Sequence, residues 1–143
     1  MKISDHFQLE EFVPPNVFQT WGANAVWFVD PRLIELAEFV RTFFNKPVII
    51  NDWHRGGQLQ YRCFRDQETN VGAKLSQHRM GRAMDFNISG MTPQEVYSAI
   101  LANSGAFMKA GLTSMEDISA TPTWTHIDIR QLTPPTIKIV QPL

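Results

Sequence analysis

Several features are scarce in the sequence, and each scarcity narrows the range of functions. A single cysteine among 143 residues cannot form an internal disulfide, so the fold does not depend on an oxidising compartment. The 13 basic and 14 acidic side chains form no sustained basic stripe, which argues against a nucleic acid partner. No apolar run approaches the roughly 18 residues of a membrane-spanning helix. The polar start at residues 1–6 is not typical of a secretory signal, so we expect a protein made in the cytoplasm without a membrane partner.

The composition also limits the number of domains. With 43% hydrophobic residues, a chain of this length can bury one core of ordinary size. We therefore expect one domain over residues 1–143, acting as a monomer. Cys63 is interpreted as a small buried hydrophobe, because a catalytic thiol needs a nearby base and the four histidines are better explained by other roles.

Capping signals and periodicity predict an α+β fold. Asp30 as N-cap and Pro31 at the first helical position begin a helix over 31–45, which has apolar residues at three- and four-residue steps. A capping box begins a second helix, over 93–103. We expect these helices to pack on one side of a small antiparallel sheet. Short apolar or alternating runs predict its strands at 48–51, 83–88, 111–116 and 124–129, with an edge strand or strap at 137–140.

Two segments lack a regular pattern. Residues 1–29 are interpreted as an irregular wrap anchored by aromatic side chains, with Trp21 and Trp27 assigned to the core. The alternative is that these two indoles form an exposed platform on which sugars stack. Residues 52–75 contain several Gly and Arg and few periodic apolar residues, which predicts a long loop of the kind that is usually functional.

The most informative stretch is Ser76-Gln77-His78-Arg79-Met80-Gly81-Arg82-Ala83-Met84-Asp85-Phe86. His78 and Asp85 flank a glycine, a spacing that suits a tight turn entering a buried strand. Imidazole and carboxylate groups are the usual ligands of catalytic zinc, which takes three protein ligands and keeps a fourth position open. His126, on the alternating stretch 124–130, is the candidate third ligand.

This pattern, Ser-x-His-x-x-Gly-x-Ala-x-Asp followed by His-x-Asp, resembles the zinc D-alanyl-D-alanine carboxypeptidase family. That family also takes in vancomycin-resistance dipeptidases, phage endolysins and the hedgehog signalling domain. The resemblance is nearest to the short phage-type members, runs from Met1 to about Arg130, and includes the opening segment at 3–12. It implies a hedgehog-like fold with zinc bound by His78, Asp85 and His126.

The resemblance also implies substrate-binding residues in the long loop. Cys63-Phe64-Arg65 and the stretch from Gly72 to His78 are similar to motifs in which an arginine anchors the substrate and the transition state. Arg65 is the candidate for this role. Arg55 is a rival, because the spacing differs from the usual one. Ser76 and Gln77 are expected to contact the substrate.

The general base is the least certain part of the pattern. Active members commonly have Glu-x-Trp-His, but Thr123 stands where the glutamate would be. In hedgehog-like members the acid comes from the preceding strand, and strand alternation predicts that Glu116 faces the metal while Asp117 faces away. Asp128, on the same face as His126, is expected to orient that ligand.

The resemblance implies a zinc metallopeptidase that hydrolyses peptidoglycan stem peptides at a D-Ala-containing or L-Ala-D-Glu bond. Such a hydrolase would degrade the cell wall as a phage-type endolysin or a lysin carried in the virion. No separate wall-binding domain is evident, so targeting would come from this domain. The alternative is a non-catalytic zinc-containing module of the same fold that binds a peptide or partner.

Overall fold

The computed structural model of the chain describes residues 1–142. Four α-helices and five β-strands make up its regular structure, together with several short 3₁₀ turns. The helices are α1 (Pro15–Trp21), α2 (Pro31–Phe44), α3 (Pro93–Ala102) and α4 (Ser104–Lys109), and the strands are β1 (Val48–Ile49), β2 (Ala83–Ile88), β3 (Ser114–Glu116), β4 (Thr125–Asp128) and β5 (Lys138–Val140).

Helix α2 forms where its capping signals predicted. The Asp30 side chain accepts a hydrogen bond from the Arg32 backbone N–H at 3.1 Å, and Pro31 occupies the first turn. The helix ends at Asn45, which adopts a left-handed conformation with φ 49°. Its apolar face is fully buried and consists of Leu33, Leu36, Ala37 and Val40.

Helix α3 also begins at its predicted capping box, but the chain beyond it is more helical than expected. The Thr92 hydroxyl accepts from the Glu95 N–H, and the Glu95 carboxylate accepts from the Thr92 N–H. Helix α4 follows directly after Asn103 and was not predicted. It forms because Phe107 is fully buried and packs edge-on against Phe39 of α2, with ring centroids 5.1 Å apart.

The five strands form one sheet in the order β1-β2-β4-β3-β5. The first four are antiparallel to their neighbours, as predicted, and β2 has its predicted bounds. Strand β5, the predicted edge strand or strap, pairs parallel to β3, so the five-stranded sheet as a whole is mixed. The alternating sequence of β5 indicates an edge strand but carries no information about its partner or direction.

The two faces of the sheet have different roles. Met84 and Phe86 of β2 and Ile127 of β4 join the apolar core with α2 and α3. Successive side chains on a strand point to opposite faces. Asp85 and His126, which are paired across β2 and β4, therefore lie on the other face.

The N-terminal segment is more regular than predicted and places two tryptophans differently. Helix α1 and 3₁₀ turns replace the expected irregular wrap. Phe7 and Phe12 are buried as anchors, but Trp21 is 51% exposed and Trp27 is 77% exposed. Assigning these indoles to the core was wrong. The loop at 52–75 is irregular apart from one 3₁₀ turn, as expected.

Within residues 1–142, no helix combines the length and the apolar character needed to cross a membrane.

Candidate metal centre

A 3₁₀ turn and two strands bring the predicted ligands together. His78 lies in the turn Gln77–Met80, whose N-cap Ser76 accepts a hydrogen bond from the His78 N–H at 3.3 Å. Gly81 ends the turn with φ 65°, and a Cβ atom there would lie 2.0 Å from the carbonyl oxygen of Phe28. The chain can therefore turn from His78 into β2 at this point only with glycine.

The three side chains converge on one buried point. Asp85 Oδ1 lies 2.8 Å from His126 Nδ1 and 3.3 Å from His78 Nε2, and the two imidazole nitrogens are 3.3 Å apart. One donor atom from each residue falls within 4.8 Å of the other two. The residues are buried, with exposures of 2% to 6%. Such a group can coordinate one metal ion.

Hydrogen bonds on the far side of each ring decide which nitrogen faces the centre. His78 Nδ1 lies 2.8 Å from the carbonyl oxygen of Cys63, which can only accept, so Nδ1 donates and Nε2 is the nitrogen that faces Asp85. His126 Nε2 lies 3.2 Å from Asp128 Oδ2, which leaves Nδ1 for the centre. Metal-binding histidines are usually oriented by carbonyl and carboxylate partners in this way.

The charges at the centre are strongly coupled. Burial alone would lower the pKa of His126, but its hydrogen bonds to Asp128 and Asp85 raise that pKa to about 9. Burial likewise opposes ionisation of Asp85, yet His78 and His126 hold the pKa of this carboxyl well below its usual value. Without a metal, His126 therefore carries a proton at neutral pH that a metal would have to displace.

Arg130 extends the network behind His126. Its Nε and Nη2 atoms donate to the two carboxylate oxygens of Asp128 at 2.8 and 2.5 Å, and Asp128 is completely buried. The buried carboxylate is thus paired on one side and orients an imidazole on the other. Asp128 thus lies where the residue that orients His126 was predicted. The pairing of Asp128 with Arg130 was not predicted.

A cavity of about 680 Å³ opens above the centre. Its walls include Ser76, Gln77 and Arg65 from the long loop and Glu116 from β3. The register of β3 against β4 puts Glu116 on the same face as His126. Asp117 is exposed and caps a local turn through Ser119 instead.

The structure separates the two candidate arginines. Arg65 is largely buried, donates from Nε to the carbonyl oxygen of Tyr61 at 2.6 Å, and donates from Nη2 to Asp85 Oδ2 at 3.1 Å. Arg55 does not line the cavity. Arg55 ends the 3₁₀ turn Trp53–Arg55, and its exposed side chain lies 3.9 Å from Glu11, so of the two candidate arginines Arg65 is the one placed at this site.

Sequence reasoning also missed two contributors to this site. Cys63 is fully buried and acts through its backbone carbonyl, for which no side-chain signal exists. Lys138 lines the cavity from β5. Its alternating neighbours indicate a strand, but the sequence does not show that this strand lies beside β3.

Comparison with known proteins returned no match. No family model matches the chain, and no match was found among curated proteins or solved structures. Function must therefore be inferred from the residues of this site.

Proposed function

We propose that this protein is a zinc-dependent peptidase that hydrolyses stem-peptide bonds of peptidoglycan. One observation carries the proposal: three buried metal-ligating side chains lie at the floor of a cavity whose walls hold a carboxylate, Glu116, and a guanidinium, Arg65. Metal ligands, a proton acceptor and a fixed positive charge are the groups needed for metal-assisted hydrolysis of a peptide bond.

The donor set favours zinc over harder cations. Two imidazoles and one carboxylate suit a tetrahedral zinc site with three protein ligands, whereas Mg²⁺ and Ca²⁺ prefer oxygen ligands alone. When bound, zinc lowers the pKa of a water molecule to about 7 and polarises the scissile carbonyl. Cys63 and Asp128 support this role by holding the ligand imidazoles in the required tautomers.

The other residues have distinct roles in the proposed reaction. Glu116 accepts a proton from the attacking water and returns it to the leaving amine. Its negative charge contributes to the raised pKa values of His126 and Arg130, so the carboxylate lies within electrostatic reach of the centre. Arg65 faces the cavity with a guanidinium that stays charged and can hold an oxyanion or a substrate carboxylate.

The identity of the substrate rests on the sequence motifs. The Ser76 to Asp85 pattern and the His126 motif resemble enzymes that cut D-Ala-containing or L-Ala-D-Glu bonds of the bacterial wall. Ser76 and Gln77 line the cavity beside His78, where they can contact a peptide backbone. We infer a phage-type lysin that is made in the cytoplasm and acts on the wall after release or from a virion.

One observation favours a non-catalytic alternative. Thr123 occupies the position where active relatives of the resembling family commonly have glutamate, as expected for a module that binds peptide without cutting it. The peptidase proposal therefore requires that Glu116 acts as the general base in place of that glutamate. The two functions differ in whether the zinc-loaded protein cuts wall peptides. If it does, removal of the Glu116 charge should abolish the cutting.

The test is hydrolysis of purified peptidoglycan by the zinc-loaded protein. We expect loss of turbidity and release of new amino groups, both abolished by a chelator and restored by added zinc. Glu116→Gln should lose the activity while retaining zinc, and Asp117→Asn should remain active. If zinc binds but no amine is released from any wall substrate, the peptidase proposal fails and the binding module replaces it.

A further inference from the structure

A second cavity, of about 700 Å³, lies beside the first. The two share Arg65 as a lining residue. The proposed peptidase reaction uses only the first cavity. The size of the second lies within the usual range of small-ligand sites, which is roughly 300 to 1,000 Å³.

One wall of the second cavity is a ladder of three aromatic rings. Phe64 is nearly buried and stacks on Phe28, with centroids 5.2 Å apart and the planes inclined by 14°. Phe28 in turn meets Trp21 edge-on at 5.6 Å. The buried end fixes the ladder, while Trp21 leaves half of its surface to solvent. A flat apolar ligand surface could lie against this exposed indole.

Acidic and amide side chains also line the cavity. Asp66 accepts a hydrogen bond through Oδ2 from Asn16 at 2.6 Å, whereas its Oδ1 is buried and has no partner within the described residues. Gln67 and Glu68 line the same cavity. Asp66 Oδ1 is shielded from solvent, so the exposed side chains of Gln67 and Glu68 are the acceptors that a ligand's hydroxyl or amide donors can reach.

Arg79, one of the two arginines that line the cavity, is engaged through all three of its side-chain nitrogens. Arg79 donates to the carbonyl oxygens of Asp66, Thr69 and Ala73, at 2.6, 2.9 and 3.1 Å. Arg65 is bonded to Tyr61 and Asp85. The engagement of Arg79 by backbone carbonyl groups and the carboxylates of Asp66 and Glu68 disfavour an anion in this cavity. An aromatic face combined with unpaired acceptors suits a neutral, hydroxyl-rich ring.

We propose that the second cavity binds an N-acetylated sugar of the peptidoglycan glycan strand, with the ring stacked on Trp21 and hydroxyl groups donating to Glu68. The proposal rests on the proposed function, because the shared Arg65 makes the two cavities adjacent parts of one substrate site. The stem peptide is joined covalently to this sugar through its first residue. An extended residue spans roughly 3.5 Å, so a few residues of stem peptide are long enough to connect a sugar in the second cavity with a bond cleaved in the first.

The test compares two substrates of the zinc-loaded protein: a muramoyl pentapeptide and the same pentapeptide without sugar. We expect kcat/KM to be roughly tenfold higher for the muramoyl substrate, because the sugar adds one aromatic contact and such a contact changes affinity by up to about tenfold. Trp21→Ala should reduce the ratio of the two values to about one. Trp27→Ala removes an even more exposed indole that does not line the cavity, and it should retain the ratio. Equal kcat/KM values for both substrates in the unmodified protein would refute the sugar site and leave the peptidase function standing.

A binding titration separates this inference from the peptidase proposal. If neither peptide is cut, the proposed function fails, and the sugar site is then judged with a neutral probe, the GlcNAc-MurNAc disaccharide whose lactyl carboxyl group is amidated. Saturable quenching of tryptophan fluorescence that Trp21→Ala abolishes and Trp27→Ala preserves would support the site. No saturable change, or the same change in Trp21→Ala, would overturn it.

Discussion

At the residue scale, the candidate metal centre depends on partners that leave one nitrogen of each imidazole facing the centre. The Cys63 carbonyl fixes His78, and the Asp128 carboxylate fixes His126. Arg130 neutralises Asp128, which is otherwise a completely buried charge with a high desolvation cost. A carboxylate paired in this way can orient the His126 imidazole without itself facing the candidate metal centre.

The first prediction concerns the ligands. His78→Ala and His126→Ala should each lose stoichiometric zinc, because two remaining ligands hold the ion poorly. Asp128→Asn should retain the site but weaken zinc affinity by about 10- to 100-fold, as for other orienting partners. Zinc content after dialysis and competition with a chromogenic chelator measure both effects. His6→Ala is the control, since His6 is bonded to Glu38 at the surface. Full zinc occupancy in both ligand variants would exclude this site.

The second prediction concerns the base. Glu116→Gln should keep zinc and the fold but lower turnover by roughly 10² to 10⁴, the usual contribution of a positioned acid-base group. Asp117→Asn should leave turnover nearly unchanged, because that carboxylate is exposed and bonded to Ser119. Steady-state rates on a stem peptide measure both. A silent Glu116→Gln together with a damaging Asp117→Asn would contradict the assignment.

Individual site residues were predictable to different degrees. The spacing from His78 to Asp85 identified two members of the buried cluster because a turn and a strand are local structures. Strand alternation separated Glu116 from Asp117. The choice between Arg55 and Arg65 was not accessible, since it depends on the path of an irregular loop that has no periodicity.

At the element scale, capped helices and buried strands were predictable and their pairings were not. Strand β2 matches its predicted bounds because a turn precedes a continuous buried run. Helices α1 and α4 were missed because they have only seven and six residues, too few for a clear helical period. The parallel pairing of β5 with β3 is a long-range contact that no local pattern specifies.

The third prediction tests the turn between His78 and β2. Gly81→Ala should destabilise the protein by about 3 kcal/mol or more, because the new Cβ would lie 2.0 Å from the Phe28 carbonyl oxygen in a left-handed conformation. Gly56→Ala is the matched control, with φ 86° and no atom within 4 Å of the added Cβ, and should cost about 1 to 2 kcal/mol. Urea unfolding measures both, and equal losses would show that contact with Phe28 is unimportant.

At the scale of the whole molecule, the centre connects distant parts of the chain. Its ligands come from a 3₁₀ turn and two strands, separated by up to 48 residues in sequence. A metal that binds only when these parts are assembled stabilises the entire fold, by about 2.7 kcal/mol at a free concentration 100 times Kd. Because a metal would displace the proton of His126, the pH dependence of stability should differ between the metal-free and the metal-bound protein.

The pH dependence follows from His126. Its pKa is about 9 in the folded, metal-free protein, above the ordinary value of 6.5 expected after unfolding. The folded state then holds a proton that the unfolded state releases as pH rises above 6.5. This contribution to stability is fully present below pH 6.5 and is lost as pH rises toward 9. In the zinc-loaded protein the proton is already displaced, so the same loss cannot occur.

The last prediction is that the melting temperatures of the two forms diverge as pH rises. From pH 6.5 to 8.5 the metal-free protein should lose stability by at most about 1.4 kcal/mol per pH unit through His126, while the zinc-loaded protein should stay level. Thermal and urea unfolding with excess chelator or excess zinc measure the two curves. His126→Gln without metal should flatten the first curve, which assigns the slope to this side chain. Parallel curves, or a gap that narrows with pH, would mean that zinc binding displaces no proton from His126.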